Sequence, residues 1–119
     1  MSTEEIVEFL EKESDILESY VLVRELKLLL DVGHDHFHPT VRVKIYRSSV
    51  LSGQPYHFEV SHHVHTPSQA GPYYPSRTFS ESETSAIERA ITTTMSFLKS
   101  AIREGLEPSD SWLVPNEDF

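Results

Sequence analysis

The sequence predicts an α+β fold in two layers, a small antiparallel sheet covered on one face by an N-terminal and a C-terminal helix. Three observations lead there. Two β-rich runs, at about 40–46 and 56–66, are separated by a turn, and an amphipathic segment opened by a serine cap signal lies on each side of them. Residues 1–119 read as a single domain, because that length is ordinary for one hydrophobic core and there is no internal repeat or low-complexity linker.

At the N-terminus, Ser2 and Glu5 have the spacing of a capping box. Ile6, Phe9, Leu10, Ile16, Leu17 and Tyr20 then fall on one side of a helical wheel, with Glu4, Glu8, Glu11, Lys12, Asp15 and Glu18 on the other. A helix is predicted over about 3–20. Residues 21–32 admit two readings. Val21, Leu22, Val23, Leu26, Leu28, Leu29 and Leu30 surround a helical wheel, so the helix continues until Gly33 ends it, or the segment is a strand with Leu22, Leu26, Leu28, Leu30 and Val32 inward and Arg24 as the exception. The Leu, Glu and Lys content, and the lack of a turn residue near Tyr20, favour the helix. Under either reading so much apolar surface requires burial against the sheet or a second copy of the chain, and self-association is expected.

The hairpin follows from the alternation of side chains along a strand. Val41, Val43 and Ile45 share one face of the first run, and Phe58, Val60 and Val64 share one face of the second. Setting Ile45 opposite Phe58 brings Val43 to Val60 and Lys44 to Glu59, an attractive cross-strand pair. Extending that register sets Arg42 beside Ser61, Thr40 beside His63 and His38 beside His65. Ser48 to Pro55 form the turn, and 67–72 is loop. Residues 73–79 read as an edge strand that tolerates Pro75. Ser80 and Glu83 open the second helix, whose apolar face comprises Ile87, Ala90, Ile91, Met95, Leu98, Ala101 and Ile102. Gly105 ends it, with Leu106 folding back in a Schellman motif and Pro108 barring continuation. Trp112 is expected to pack on the helix–sheet core.

Five of the seven histidines are expected near one end of the hairpin, with His34 a little further out than the rest and His57 at the other end. His36 and His38 precede the first strand, and His63 and His65 close the second. Directly paired residues have Cβ atoms ~4.5–5.5 Å apart, within reach of a shared ion. His36, His38, His63 and His65 are therefore the candidate metal ligands, for Zn, Ni or Cu, with Asp35 as a further ligand or as the acceptor that fixes a histidine tautomer. His62, on the apolar face, reads as a core histidine with one hydrogen-bond partner.

The charge distribution sets limits on partners. The net charge is −9, carried as −7 on residues 1–38, +3 on 39–79 and −5 on 80–119. The excess of base on 39–79 gives the sheet a local positive field that suits a small anionic ligand. The strip of Arg42 and Lys44, with Tyr46 and His57 beside them, resembles single-strand nucleic-acid platforms in a general way, with Glu59 partly cancelling its charge. Bulk nucleic-acid binding is disfavoured by the scarcity of clustered Lys and Arg and by acidic segments on both sides. The chain has no cysteine, hence no disulfide, thiol nucleophile or thiolate ligand. No apolar run reaches the ~18 residues of a membrane span, and an acidic start where a signal peptide is basic leads to a cytoplasmic expectation. No catalytic motif is present, so catalysis is disfavoured. The function expected is a small soluble binding or regulatory module with a histidine-lined sheet face that takes a transition metal or a small anion. The alternative is a protein–protein interaction or structural domain without a ligand.

Overall fold

The computed structural model describes all 119 residues. Its elements are α1 (Thr3–Glu11), β1 (Tyr20–Leu29), β2 (Thr40–Ser48), β3 (Tyr56–Val60), β4 (His62–Val64), β5 (Phe79–Ser80), α2 (Glu83–Arg103), a 3₁₀ turn (Asp110–Trp112) and β6 (Leu113–Pro115). Four strands form an antiparallel sheet in the order β1-β2-β3-β5, and β4 and β6 form a separate two-stranded sheet. This is an α+β fold. No helix is long and apolar enough to cross a membrane.

The β2–β3 hairpin has the register expected, with Val43 opposite Val60, Lys44 opposite Glu59 and Ile45 opposite Phe58. Val43, Ile45, Phe58 and Val60 pack with Ala86 and Ala90 of α2 in one buried cluster. The two alanines let the helix backbone come close to the sheet. A second cluster joins Leu30, Val32, Phe37, Val41 and Val64 to Leu98, Ala101 and Trp112, so Trp112 does seal the core. Its indole meets the Phe37 ring edge-on at 6.1 Å.

The helix ends show where local chemistry decides and where it does not. Ser2 and Glu5 form the reciprocal capping box, and Ser82, two residues later than expected, caps α2 by accepting from the Ser85 N–H. At the other end of α2, Gly105 adopts φ of 83°. Leu106 N–H donates to the Ala101 carbonyl and Gly105 N–H to Ile102, which is the Schellman pairing. By contrast α1 stops at Glu11 instead of running to Tyr20. It has no basic residue in its last turn, and Glu13 and Asp15 beyond it place negative charge at the negative end of the helix dipole. Only Val7 of α1 is buried, whereas Phe9, Ile16 and Leu17 lie in solvent. That stripe lacked a surface to cover.

Residues 20–29 form a strand and not the favoured helix. Burial alternates along it, and nine of its residues pair with β2. One register shift falls between Leu22 and Arg24, leaving Val23 as a bulge. Leu22 therefore lies with Tyr46 on the open face, while Arg24 sits on the Ile45 side, under α2, and reaches Glu83 at 3.0 Å. Farther along, Leu26 and Leu28 return to the helix side. Gly33, with φ of 85°, belongs to the loop that follows. The edge strand expected over 73–79 is reduced to Phe79–Ser80, which pair with only Tyr56 and His57.

Candidate functional site

Helix α2 covers one face of the four-stranded sheet and leaves the other open. Across the open face run two rows fixed by register: Glu25–Lys44–Glu59, and Leu22–Tyr46–His57–Phe79. The expected Lys44–Glu59 ion pair is not made, although the two residues are opposed. The Lys44 ammonium instead donates to the backbone carbonyl of Phe119 at 2.6 Å and lies 4.2 Å from the centre of that ring. The terminal residues thus fold back across the sheet and take up the cation. Arg42 pairs with Glu25. Both cations of the basic strip are engaged within the chain.

The histidine arrangement depends on what happens at Ser61. Its N–H donates to the Arg42 carbonyl at 2.9 Å, and its hydroxyl accepts from the Arg42 N–H at 2.7 Å. The ladder with β2 ends there. The Ser61 carbonyl turns outward and accepts from Asn116 N–H at 2.8 Å, after which β4 pairs with β6. The extension that would have set Thr40 by His63 and His38 by His65 therefore does not exist: His63 faces Val114, and His65 donates its N–H to Trp112.

The candidate ligands are consequently distributed among separate local contacts. His36 donates its N–H to His34 Nδ1, His38 Nε2 bonds to the Asp35 carbonyl, and His65 Nε2 bonds to the Gln69 carbonyl. His63 stands against Tyr74, with ring centres 4.6 Å apart. No three His, Asp or Glu side chains come together in a way that could hold a metal ion. His62 is half-buried, not a core residue, and its Nδ1 is paired with the Ser61 hydroxyl.

What the structure does bring together is a cavity at the outer edge of β3. Phe58 and Val60 direct their backbone groups to that edge. Phe58 N–H donates to the Thr78 carbonyl at 3.0 Å, and the Val60 carbonyl accepts from the Asn116 side chain at 2.9 Å. Between these two tethers the edge opens into a cavity of about 490 Å³ whose walls include His57, Glu59, His63, Tyr74, Thr78 and Asn116. The volume falls within the range of small-molecule sites.

Electrostatics keep the histidine walls neutral. Burial pushes His57 below the usual imidazole range, against the pull of the Glu59 carboxylate. Burial also lowers His63, with the backbone of Tyr73 opposing it, and lowers His62, where the neighbouring His63 adds to the effect. A neutral imidazole offers one donor and one acceptor. The Nδ1 of His57 is hydrogen-bonded to the Thr78 hydroxyl at 2.9 Å, whereas the Nδ1 of His63 is buried with no partner. Of this wall, sequence reading identified His57, Glu59 and His63 as sheet-face residues. Tyr74, Thr78 and Asn116 were missed, since they lie in segments that reach β3 only through tertiary tethers.

Comparison with protein-family models, with curated proteins and with solved structures finds no match to this chain.

Proposed function

We propose that the chain is a non-catalytic binding module whose ligand is a small polar organic molecule seated at the edge of β3. The observation that carries this reading is the cavity opened where that edge changes partner, walled by two neutral imidazoles, the carboxylates of Glu59, Glu117 and Asp118, and the hydroxyls of Tyr74 and Thr78. Such walls match a ligand through hydrogen bonds in both directions. The dispersal of His36, His38, His63 and His65 favours an organic ligand over Zn, Ni or Cu, and the engagement of Arg42 and Lys44 tells against a simple anion.

A fragment screen read by amide chemical shifts tests the proposal. Hits should perturb residues 57–60, 74–78 and 115–118 together, and Tyr74→Ala should remove them. Hits that avoid these three segments would refute it.

A second reading, self-association, is favoured by β1. This ten-residue strand forms an edge of the sheet, with Leu22 and Leu29 largely exposed. A long open edge is a template for pairing with another copy. Light scattering across a concentration series separates dimer from monomer.

A further inference from the structure

On the open face, beside the edge cavity, three rings enclose a smaller recess. Tyr46 and His57 are directly opposed on β2 and β3, with ring centres 6.1 Å apart. Tyr20 stands over both, 6.2 Å from Tyr46 at an interplanar angle of 87° and 5.6 Å from His57 at 62°. Phe79 backs the histidine at 4.7 Å, which holds that ring in place. The space between Tyr20, Tyr46, His57 and Glu59 is about 280 Å³, and these four residues are its whole lining. Walls that meet at a steep angle, with centres about 6 Å apart, let one guest lie against several ring faces at once. That is the geometry in which ring quadrupoles attract a cation, within about 6 Å of each centroid.

We infer that Tyr20, Tyr46 and His57 form an aromatic cage for an alkylammonium group, with the Glu59 carboxylate as its counter-charge. The field around the recess agrees in sign. Glu59 lines it, Glu18 accepts from the Tyr20 hydroxyl at 3.2 Å, and Glu25 lies one row away. Lys44, the nearest cation of that row, is turned to the Phe119 carbonyl. The tyrosines stay neutral: Tyr46 is pushed up to about 12 by burial and by the Glu59 carboxylate, and Tyr20 is raised by burial and by Glu18. His57, held below its usual range, adds no positive charge that would repel the guest. A metal ion would find one carboxylate and no second anionic ligand in the recess. A methylated ammonium needs no inner-sphere ligands, only ring faces and one diffuse negative charge.

The cage shares His57 and Glu59 with the edge cavity but stands on Tyr20 and Tyr46, which the cavity does not contain. The probes are tetramethylammonium, choline and free Nε-trimethyllysine, titrated into the whole chain with amide shifts as readout. Expected is saturable binding with shifts at residues 20, 46, 57 and 59. Tyr20→Ala and Glu59→Gln should each weaken it by about threefold to tenfold, while Tyr20→Phe retains it. The tighter of choline and trimethyllysine identifies the source of the ammonium group. The neutral isostere of choline, 3,3-dimethylbutan-1-ol, separates charge recognition from plain apolar burial. Binding as tight as that of choline would overturn the inference, as would the absence of saturation by any of the three ammonium probes. Circular dichroism confirms that each variant is folded. Fragments bound at the edge cavity should be unaffected by Tyr20→Ala, so failure of one site leaves the other standing.

Discussion

The run from Tyr56 to Val64 is one continuous alternating pattern in the sequence and two different strands in the molecule. On one side of Ser61, β3 meets its expected partner residue for residue. On the other, β4 abandons β2 and pairs with β6. Alternation dictates which face a side chain takes, and Phe58, Val60 and Val64 obey it, all three buried, while His62 beyond the parting point stays half-buried. It does not dictate the partner. The first half is matched by apolar contacts at Val43 and Ile45, which reward one register only. The second half was offered Thr40 and His38, which bring no such reward, and it found Leu113 beside the buried Trp112 instead. Ser61 makes the parting inexpensive. Its hydroxyl takes over the acceptor role toward Arg42 N–H, and its carbonyl is thereby free to receive Asn116.

The sharpest test of the contrast is in the matched half. Phe58 is 1% exposed and touches the Ala86–Ala90 stretch of α2 through one cluster. Phe58→Ala should destabilise the chain by about 3–5 kcal/mol, measured by urea denaturation, with loss of the whole sheet in one transition. A loss below ~1 kcal/mol would show that β3 does not anchor the fold.

At the parting point the effect should be smaller. Ser61→Ala leaves the Arg42 N–H without its acceptor, and should cost about 1–3 kcal/mol. Hydrogen exchange should quicken first at residues 42, 61 and 116 while β3 stays protected. If protection falls evenly through β2 and β3, Ser61 is an ordinary strand residue and the two halves are one unit after all.

The smallest effect is expected in acid. His57, His62 and His63 all have lowered values in the folded chain, so on acidification the unfolded chain takes up protons first. The contribution is fully present above the ordinary imidazole value of ~6.5 and is lost as pH falls from there through the folded values. Tm should therefore decline between neutral pH and mildly acidic pH before carboxylates titrate. His57→Gln with His63→Gln should flatten that limb, and a Tm independent of pH in this window would contradict the assigned burial.

The legibility of the chain follows the same division between face and partner. Local signals were sound where they specified chemistry: the Ser2–Glu5 box, the Gly105 terminus and the Val43–Val60 register all stand. The helix favoured over 21–32 failed because Leu-rich composition outweighed period, and because the bulge at Val23 breaks the period itself. Leu22, counted inward, is 48% exposed. Tyr20 was assigned to the end of an amphipathic helix, so its place among Tyr46 and His57 was invisible. The four candidate histidines were grouped by extending β3 through Ser61. Thr78 and Asn116 join the site across gaps that no local pattern spans, 21 residues from His57 and 56 from Val60.

The bulge at Val23 also has a meaning for descent. It acts as a parity operator on β1: with it, even-numbered residues before position 23 and odd-numbered residues after it share a face. Removing that one residue would close the ladder with Leu22 still opposite Tyr46 and Arg24 still opposite Ile45, and would leave the Tyr20 ring on the open side. A residue inserted between Tyr20 and Leu22 with the bulge kept would instead swing that ring to the helix side. The linker between α1 and β1, outside the ladder, can gain or lose a residue without any such exchange. A lineage could therefore discard the Tyr20 wall by a single in-frame codon insertion, yet keep it through loss of the Val23 codon, with every side chain of the recess unchanged in identity.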